Sequence, residues 1–557
     1  MTTAAREAIA VLKANGIERI FGNPGTTELA LLEATVSGGV AFHLCLNEGV
    51  AVAMADGYGR ATGSVGVVMV HTSVGTANTL TNLINLRSDR SPLLVIAGDK
   101  DDRLTGRGCF CEVPDMPGLV RQVTKEAWRV TLPEKLPELV QRGLKVAEAP
   151  PRGPVFIAAP ENYMLEELAP GFAGRYARRA DSMTMRAHPD DLRALLRALT
   201  DAERPLLVAG NEIGASDSVP LLVEIAEKLC VPVVGEEVFT TNAMNFPTDH
   251  PYYHGNFAPA VPVVRDADLV VAIGARMFME YSWPEKPYLQ PGVRLIQVGG
   301  DPSELGKIYP TELALLGDAG DAVRDLHGML ATRSVPPGKA LEARRARARG
   351  RSASLREDPR GVPHPWVPMP GEPMHPQRLL AVMSEILPPD VAIVDESVLS
   401  KSMMQSCFRL GEDRRYFGTS GGGLGWGIAA AVGVQLGMSS RRVVAFVGDG
   451  GALFNIQALW SAAHLHAPLI VVVVNNGGYM AVRRGLGQVG GACAGAGSYP
   501  GSALARPEVD FCAIARGFGV RAASASSERE VGDALHWALA TNEPALIDAR
   551  VAASVYY

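Results

Sequence analysis

The chain has 557 residues, of which 47% are hydrophobic, 20% charged and 6% aromatic, a balance that excludes an intrinsically disordered protein. Its formal net charge of −6 gives no electrostatic basis for nucleic acid or an anionic membrane as a partner. At roughly 150 residues per domain the length implies three to four domains, and 59 glycines with 39 prolines imply many short, sharp connections.

Residues Met1–Glu7 open a polar-faced helical pattern rather than an export signal, which predicts a cytoplasmic protein. The first block, 1–180, carries the glycine-rich run Gly22-Asn23-Pro24-Gly25-Thr26-Thr27-Glu28. Leu44-Cys45-Leu46-Asn47-Glu48-Gly49 then precedes a helix over Val50–Ala61. Apolar runs at Val65–His71, Leu93–Gly98 and Val155–Ala159 read as strands. The seven cysteines (Cys45, Cys109, Cys111, Cys230, Cys407, Cys493 and Cys512) are scattered. The one close pair, Cys109 and Cys111, fits no common zinc spacing, so reduced thiols are expected.

A polar, irregular stretch at 166–188 separates a second block, 183–332. It holds helical patterns at Pro189–Leu199 and Leu221–Leu229, with strands at Leu206–Gly210, Leu269–Gly274 and Leu295–Val298. Residues 333–369 read as a linker. Its arginine run, Arg344–Arg356, is flanked by Glu342, Glu357 and Asp358 and is expected to be a solvated helix.

The third block, 370–557, begins with a helix over Gln377–Leu387 and a strand at Val391–Asp395. Gly425–Met438 is apolar but short of the roughly 20 residues that span a bilayer, so a buried helix is expected there and no membrane. Strands at Val443–Gly448 and Leu469–Asn475 follow, and then a long glycine-rich loop, Gly485–Pro507, either a lid or plain surface. Unbroken apolar strands alternating with helices predict α/β architecture: three α/β domains with mostly parallel sheets.

The strongest chemical signal is Gly448-Asp449-Gly450-Gly451 together with Asn475-Asn476-Gly477-Gly478. Each run closes a predicted parallel strand, at the edge where open α/β sheets bind ligands. A carboxylate, an amide oxygen and a turn carbonyl are hard donors suited to Mg²⁺ shared with phosphates. Glycines let backbone N–H groups approach a diphosphate. The pair resembles the diphosphate and Mg²⁺ motif of thiamine diphosphate (ThDP) enzymes.

Other segments extend the resemblance over nearly the full length. Asn47-Glu48-Gly49 with Ala55-Asp56-Gly57-Tyr58 resembles the segment that carries the activating glutamate, matched by Glu48. Gly22–Glu28 and Val70–Asn78 resemble the substrate loops of benzoylformate decarboxylases, with Thr26 at the carboxylate anchor and His71 at a catalytic histidine. Gly421–Gly427 resembles the segment beneath the bent cofactor, with the Gly422 carbonyl on the 4′-amino group and Leu424 as the wedge.

The resemblance implies a pyrimidine-binding domain, a central domain and a diphosphate-binding domain. It assigns the cofactor to Glu48, Gly422, Leu424, Gly448, Asp449, Gly450, Gly451, Asn476, Gly478, Tyr479 and Met480, and Mg²⁺ to Asp449, Asn476 and Gly478. Substrate falls to Thr26, His71, Tyr281, Ala481 and Val482. Two departures stand out. Tyr281 takes the place of a second histidine, and Gly485 that of an aromatic wall, which implies more carbon–carbon bond formation.

The implied activity is ThDP- and Mg²⁺-dependent decarboxylation of a 2-oxo acid, with ligation to an acceptor aldehyde or ketone as a further outcome. The alternative is a carboligase resembling acetohydroxyacid synthases, for which FAD in the central block has no supporting motif. From other classes, a regulatory ThDP-binding relative conflicts with the retention of Glu48, Asp449 and Asn476. A nucleotide-binding oxidoreductase would rest on Gly210–Gly214, which lacks a dinucleotide fingerprint. The family pattern places Glu48 and Asp449 of different subunits around one cofactor, which implies a homodimer or homotetramer.

Overall fold

A computed structural model describes residues 2–169, 171, 173–176, 184–279, 283, 287–332, 339–349, 373–411 and 415–553. Three six-stranded sheets carry the fold, and the chain separates into two compact units. One unit comprises Met1–Ser182, Ile393–Ser397 and Thr419–Tyr557; the other comprises Met183–Ala392 and Val398–Gly418.

In the first unit, the N-terminal sheet runs Ala41–Leu44, Arg19–Asn23, Gly66–His71, Leu93–Asp99, Pro154–Pro160, Glu126–Arg129, and every pairing is parallel. Its order reverses between Arg19–Asn23 and Gly66–His71, with Asn23 opposite Val70. Ligands of open α/β sheets bind at such a reversal, beyond the strands' carboxyl ends. Three of these strands escaped the sequence reading. Arg19–Asn23, Ala41–Leu44 and Glu126–Arg129 are short and carry charge or histidine, so no apolar run marks them.

The C-terminal sheet places Ala392–Glu396, Val443–Gly448, Ile470–Asn475, Ala545–Arg550 and Arg521–Ala525 side by side. This repeats the crossover pattern of the N-terminal sheet from Arg19–Asn23 onward. The pair forming the N-terminal reversal therefore has its counterpart in Ala392–Glu396 and Val443–Gly448. Central strands such as Val443–Val447 and Ile470–Val474 are buried on both faces. Each such Val or Ile contributes about 1.5–3 kcal/mol by leaving water.

Helices Glu48–Thr62 and Gly427–Gly437 join the two halves of this unit at backbone-to-backbone range. A Cβ on Gly57 would lie 2.1 Å from the Ala430 carbonyl oxygen, and one on Gly433 would lie 2.0 Å from that of Met54. Nothing larger than glycine fits at either crossing. Buried Asp56 locks the pair by accepting from Trp426 Nε1 at 2.7 Å. The expected buried helix near Gly425–Met438 is thus present, as Gly427–Gly437.

The second unit is built on a parallel sheet ordered Tyr253–Asn256, Val233–Gly235, Pro205–Ala209, Leu269–Ile273, Arg294–Gly299, Leu313–Leu316. In chain order this is 3-2-1-4-5-6, the doubly wound nucleotide-binding order. The amphipathic helices Pro189–Asp201, Val219–Leu229 and Ala319–Ala331 close one of its cores.

Three expectations need correction. Val70–Asn78, a loop by its resemblance, is instead the end of strand Gly66–His71 running straight into helix Thr72–Asp89. The arginine run does form a helix, Lys339–Arg349, but it is not solvated at Arg344 and Arg347. Arg344 is buried and donates to the carbonyls of Leu199, Thr200 and Ala202, so it caps the C-terminal end of Pro189–Asp201. Arg347 donates to the carbonyls of Pro205 and Val263, both at 2.9 Å. Residues 350–369 of the expected linker lie outside the described residues. Nor is Gly485–Pro507 a continuous loop. Helix Met480–Val489 runs through Gly485, and helix Ala492–Ala496 follows.

Candidate functional site

The carboxyl edge of the C-terminal sheet gathers the strongest motif. Strands Val443–Gly448 and Ile470–Asn475 pair in parallel with Gly448 opposite Val474, so the turns after them are neighbours. Asp449 opens a short helix and is buried. Its Oδ1 accepts from Gly450 N at 2.8 Å and its Oδ2 from Gly478 N at 2.9 Å. Asn476 Oδ1 accepts from the same Gly478 N–H at 3.2 Å. Burial pushes the Asp449 carboxyl up to about 6 against these donors.

The glycines here have separate reasons. Gly477 has φ +75°, a left-handed conformation. A Cβ on Gly450 would strike the Tyr479 ring at 2.3 Å, whereas one on Gly448 would meet open space. Residues 499–504 brace the turn, with Ser502 O accepting from Tyr479 N and Gly477 O from Leu504 N, both at 2.8 Å.

A cation and diphosphate fit this edge. The Asp449 carboxylate, the Asn476 amide oxygen and the Gly478 carbonyl are three hard oxygens at adjoining turns. Among the described residues no cluster of three His, Cys, Asp or Glu side chains is placed to hold a metal, so the amide and carbonyl are needed.

A second group stands at the reversal of the N-terminal sheet. His71 ends one strand; Thr26, Thr27 and Glu28 follow the other. His71 Nδ1 lies 3.0 Å from Thr27 Oγ1 and 3.3 Å from Glu28 Oε2, and Thr27 Oγ1 donates to Glu28 Oε2 at 2.6 Å. Thr27 and Glu28 are buried, His71 is half-buried and Thr26 is exposed. Gly25 lies flat under the imidazole, since a Cβ there would sit 2.3 Å from the ring. The next residue, Thr72, is β-branched with φ +41° and has a buried Oγ1 without a hydrogen-bond partner.

Glu48 begins the helix capped by Asn47, whose side chain accepts from Gly49 N at 2.7 Å. It is buried, and its Oε2 accepts from Asn78 Nδ2 at 2.9 Å. Asn78, Asn82 and Asn85 form one stripe of helix Thr72–Asp89. Asn82 donates to Gly49 O at 2.7 Å, and Asn85 donates to Asn82 Oδ1 at 3.0 Å and to Gly423 O at 2.8 Å. The stripe therefore ties the Glu48 helix to the segment carrying Gly422 and Leu424. Gly422 is exposed with φ +76° and Leu424 is half-buried.

The second unit has a strand reversal of its own. Its reversal lies between Pro205–Ala209 and Leu269–Ile273. Fully buried Glu236 fills it, with Oε2 accepting from Asn211 N at 2.8 Å and Oε1 from Arg276 N at 3.0 Å. Glu237 accepts from Phe278 N and Met279 N, and Glu212 from Gly300 N. Backbone N–H groups around this reversal are thus bonded to carboxyl groups of the chain itself.

Residues 2–118, 192–326 and 399–549 match, in turn, the N-terminal TPP binding domain, the central domain and the C-terminal TPP binding domain of thiamine pyrophosphate enzymes. The chain is 31% identical to benzoylformate decarboxylase of Pseudomonas aeruginosa over 98% of each protein. It belongs to the thiamine pyrophosphate enzymes.

Other members resemble it along most of its length. A probable acetolactate synthase large subunit of Methanocaldococcus jannaschii is 26% identical, covering 98% of this chain and 91% of that protein. Among solved structures, a thiamine diphosphate-dependent 4-hydroxybenzoylformate decarboxylase of Rhodococcus jostii RHA1 superposes with TM-score 0.86 at 29% identity over the whole of both chains. The three parallel-sheet α/β domains anticipated from sequence are those of this thiamine pyrophosphate enzyme.

The structure brings the expected site residues into two groups. Gly448–Gly451, Asn476, Gly478, Tyr479 and Met480 share the C-terminal sheet edge, with Ala481 and exposed Val482 in the first turn of helix Met480–Val489. Thr26 and His71 share the N-terminal reversal, with Glu48 on the adjoining helix. Within one chain no hydrogen bond or ion pair joins Glu48 or His71 to Asp449. Tyr281 lies outside the described residues. The sequence reading missed Thr27 and Glu28, although both lie inside a loop it singled out.

Proposed function

We propose that this thiamine pyrophosphate enzyme is a Mg²⁺-dependent decarboxylase of a 2-oxo acid, similar to benzoylformate decarboxylase. The observation that carries the reading is His71, held by Thr27 and Glu28 of the same loop that carries exposed Thr26. An oriented acid/base group next to a carboxylate anchor is what the reaction requires of the protein. When bound, the cofactor supplies the electron sink that lets CO₂ leave.

The chain's residues do the rest. Asp449, Asn476 and the Gly478 carbonyl would hold Mg²⁺, while Gly448, Gly450, Gly451, Tyr479 and Met480 would line the diphosphate. Glu48 would hold the proton exchanged at the aminopyrimidine ring, the Gly422 carbonyl would accept from its amino group, and Leu424 would support the cofactor between its two rings. Thr26 donates to the substrate carboxylate, and His71 moves the proton at the reacting carbon. Ala481 and Val482 flank the substrate, and Tyr281 is assigned there by its match in the sequence alone. A phenol at that place favours ligation to an acceptor aldehyde or ketone over protonation.

A second copy completes each site in this reading. Leu46 beside Glu48, Val74 beside His71, and Phe454 and Val482 beside the Asp449 group are all exposed apolar side chains. A partner chain covering them unites the two groups in a homodimer or a homotetramer. The carboxylates filling the central reversal support a flavin-free decarboxylase over the synthase-like alternative. Incubation with a panel of aromatic and aliphatic 2-oxo acids, with product analysis, tests the reading. CO₂ with aldehyde or acyloin supports it; CO₂ from no member of the panel overturns it.

A further inference from the structure

The C-terminal sheet holds a second buried carboxyl group at its reversal pair, beside the strand of Asp449. Glu396 ends the strand Ala392–Glu396 and is 7% exposed. Its Oε1 accepts from Gly425 N at 2.6 Å and from Trp426 N at 3.0 Å, and its Oε2 accepts from Gly427 N at 2.9 Å. These N–H groups lie at the start of helix Gly427–Gly437, where the helix itself offers no acceptors. A Cβ on Gly427 would lie 2.8 Å from the Glu396 Cβ, so glycine there admits the side chain.

The bonds fall in a pattern along the segment. Ser420 is held by Asp89 through both its N–H and its hydroxyl. Gly423 is held by Asn85, and the Gly425 carbonyl accepts from Asn455 Nδ2 at 2.8 Å. Glu396 then holds Gly425, Trp426 and Gly427. Between the fixed points stand Gly422 and Leu424, whose backbones make no hydrogen bond among the described residues. A Cβ on Gly422 would meet nothing within 4 Å.

We propose that Glu396 is a positioning residue, which sets the segment so that the Gly422 carbonyl and the Leu424 side chain are presented to the cofactor. The inference rests on the cofactor reading above. A carboxylate suits the task because its two oxygens accept three N–H groups without offering a hydrogen. Glutamine keeps the shape but turns an NH₂ toward one of those donors. Aspartate keeps the charge with a shorter reach.

The test compares the full-length parent with Glu396→Gln and Glu396→Asp, each loaded with ThDP and Mg²⁺. Exchange of the thiazolium C2 proton is measured by NMR and divided by the bound cofactor, and amide hydrogen exchange is read at residues 425–427. A loss of mere stability lowers the amount of bound cofactor but not the exchange rate per bound molecule. The proposal expects that rate to fall by about tenfold or more in Glu396→Gln, with partial rescue in Glu396→Asp and loss of amide protection at 425–427. A parent-like exchange rate per bound cofactor in Glu396→Gln overturns it. If the parent binds no ThDP, the cofactor reading fails. Glu396 as a clamp is then judged on the amides alone: parental protection lost in Glu396→Gln upholds the clamp, and unprotected parental amides refute it.

Discussion

The side chain of Asn85 grips both backbone polar groups of Gly423, donating to its carbonyl and accepting from its N–H, each at 2.8 Å. Helix Thr72–Asp89 begins just after His71, so one helix connects His71, Glu48 through Asn78, and the Leu424 segment. Asn85→Ala strands two backbone groups and opens the Asn82 link. It is expected to cost about 1–3 kcal/mol of unfolding free energy in urea titrations. A cost below about 0.5 kcal/mol would show that the grip is incidental.

Thr26 and His71 should separate kinetically. Thr26→Ala removes the hydroxyl assigned to the substrate's carboxylate, so KM is expected to rise more than kcat falls. His71→Ala removes the group assigned to proton transfer, so kcat is expected to fall by about 10²–10⁴-fold. Glu28→Gln leaves the imidazole present but alters its partner, and its kcat lies between those of the parent and His71→Ala. Steady-state kinetics on the best 2-oxo acid decides; equal KM effects in all three variants would contradict these roles.

For Asp449→Ala, calorimetric titration of ThDP with and without Mg²⁺ should show that the metal no longer strengthens binding. The diphosphate would then face the site without its bridging cation. An unchanged Mg²⁺ dependence would place the cation elsewhere.

Glu236 gives a pH prediction with a definite sign. Burial pushes its carboxyl up to about 8, against the pull of the Asn211 and Arg276 N–H groups, the Arg276 charge and Thr240. An unfolded Glu titrates near ~4.3. The folded chain therefore holds a proton that the unfolded chain releases between these values. Its contribution to stability is complete at pH values below the unfolded value and is lost as pH rises through about 8. Urea midpoints from pH 5 to 8.5 should fall more steeply for the parent than for Glu236→Gln. Parallel profiles would exclude this titration. The same crevice predicts purified protein without flavin absorbance in the visible range.

What the sequence disclosed follows from how far apart the interacting residues are. Asp449 with its glycines and Asn476 occupy short runs whose turn chemistry is local, so each could be named from its neighbours. Apolar strands buried on both faces announce themselves for the same reason. Glu48, an acid at a helix start, stood out only through the family resemblance of its segment. Glu396 bonds to residues about thirty positions downstream, and Glu236 bridges Asn211 and Arg276 on either side of it. Neither pairing leaves a local trace. Arg344 looked solvated because its run is charged, but its partners are carbonyls of a helix end far back in the chain. Glu28 was hidden differently, because an acidic residue ahead of Leu29–Gly38 reads as ordinary helix-start charge.

The central claim is that this chain uses ThDP and Mg²⁺, with Glu48 as the activating acid, to release CO₂ from a 2-oxo acid. The most direct measurement is CO₂ evolution from benzoylformate and its aliphatic counterparts by protein stripped of cofactor, then resupplied with ThDP, Mg²⁺ or both, alongside Glu48→Gln. The account predicts CO₂ only when both are present, and a severe loss in Glu48→Gln although that variant still binds ThDP. Full parental CO₂ evolution by cofactor-loaded Glu48→Gln, or none by the fully loaded parent on any 2-oxo acid, would contradict it.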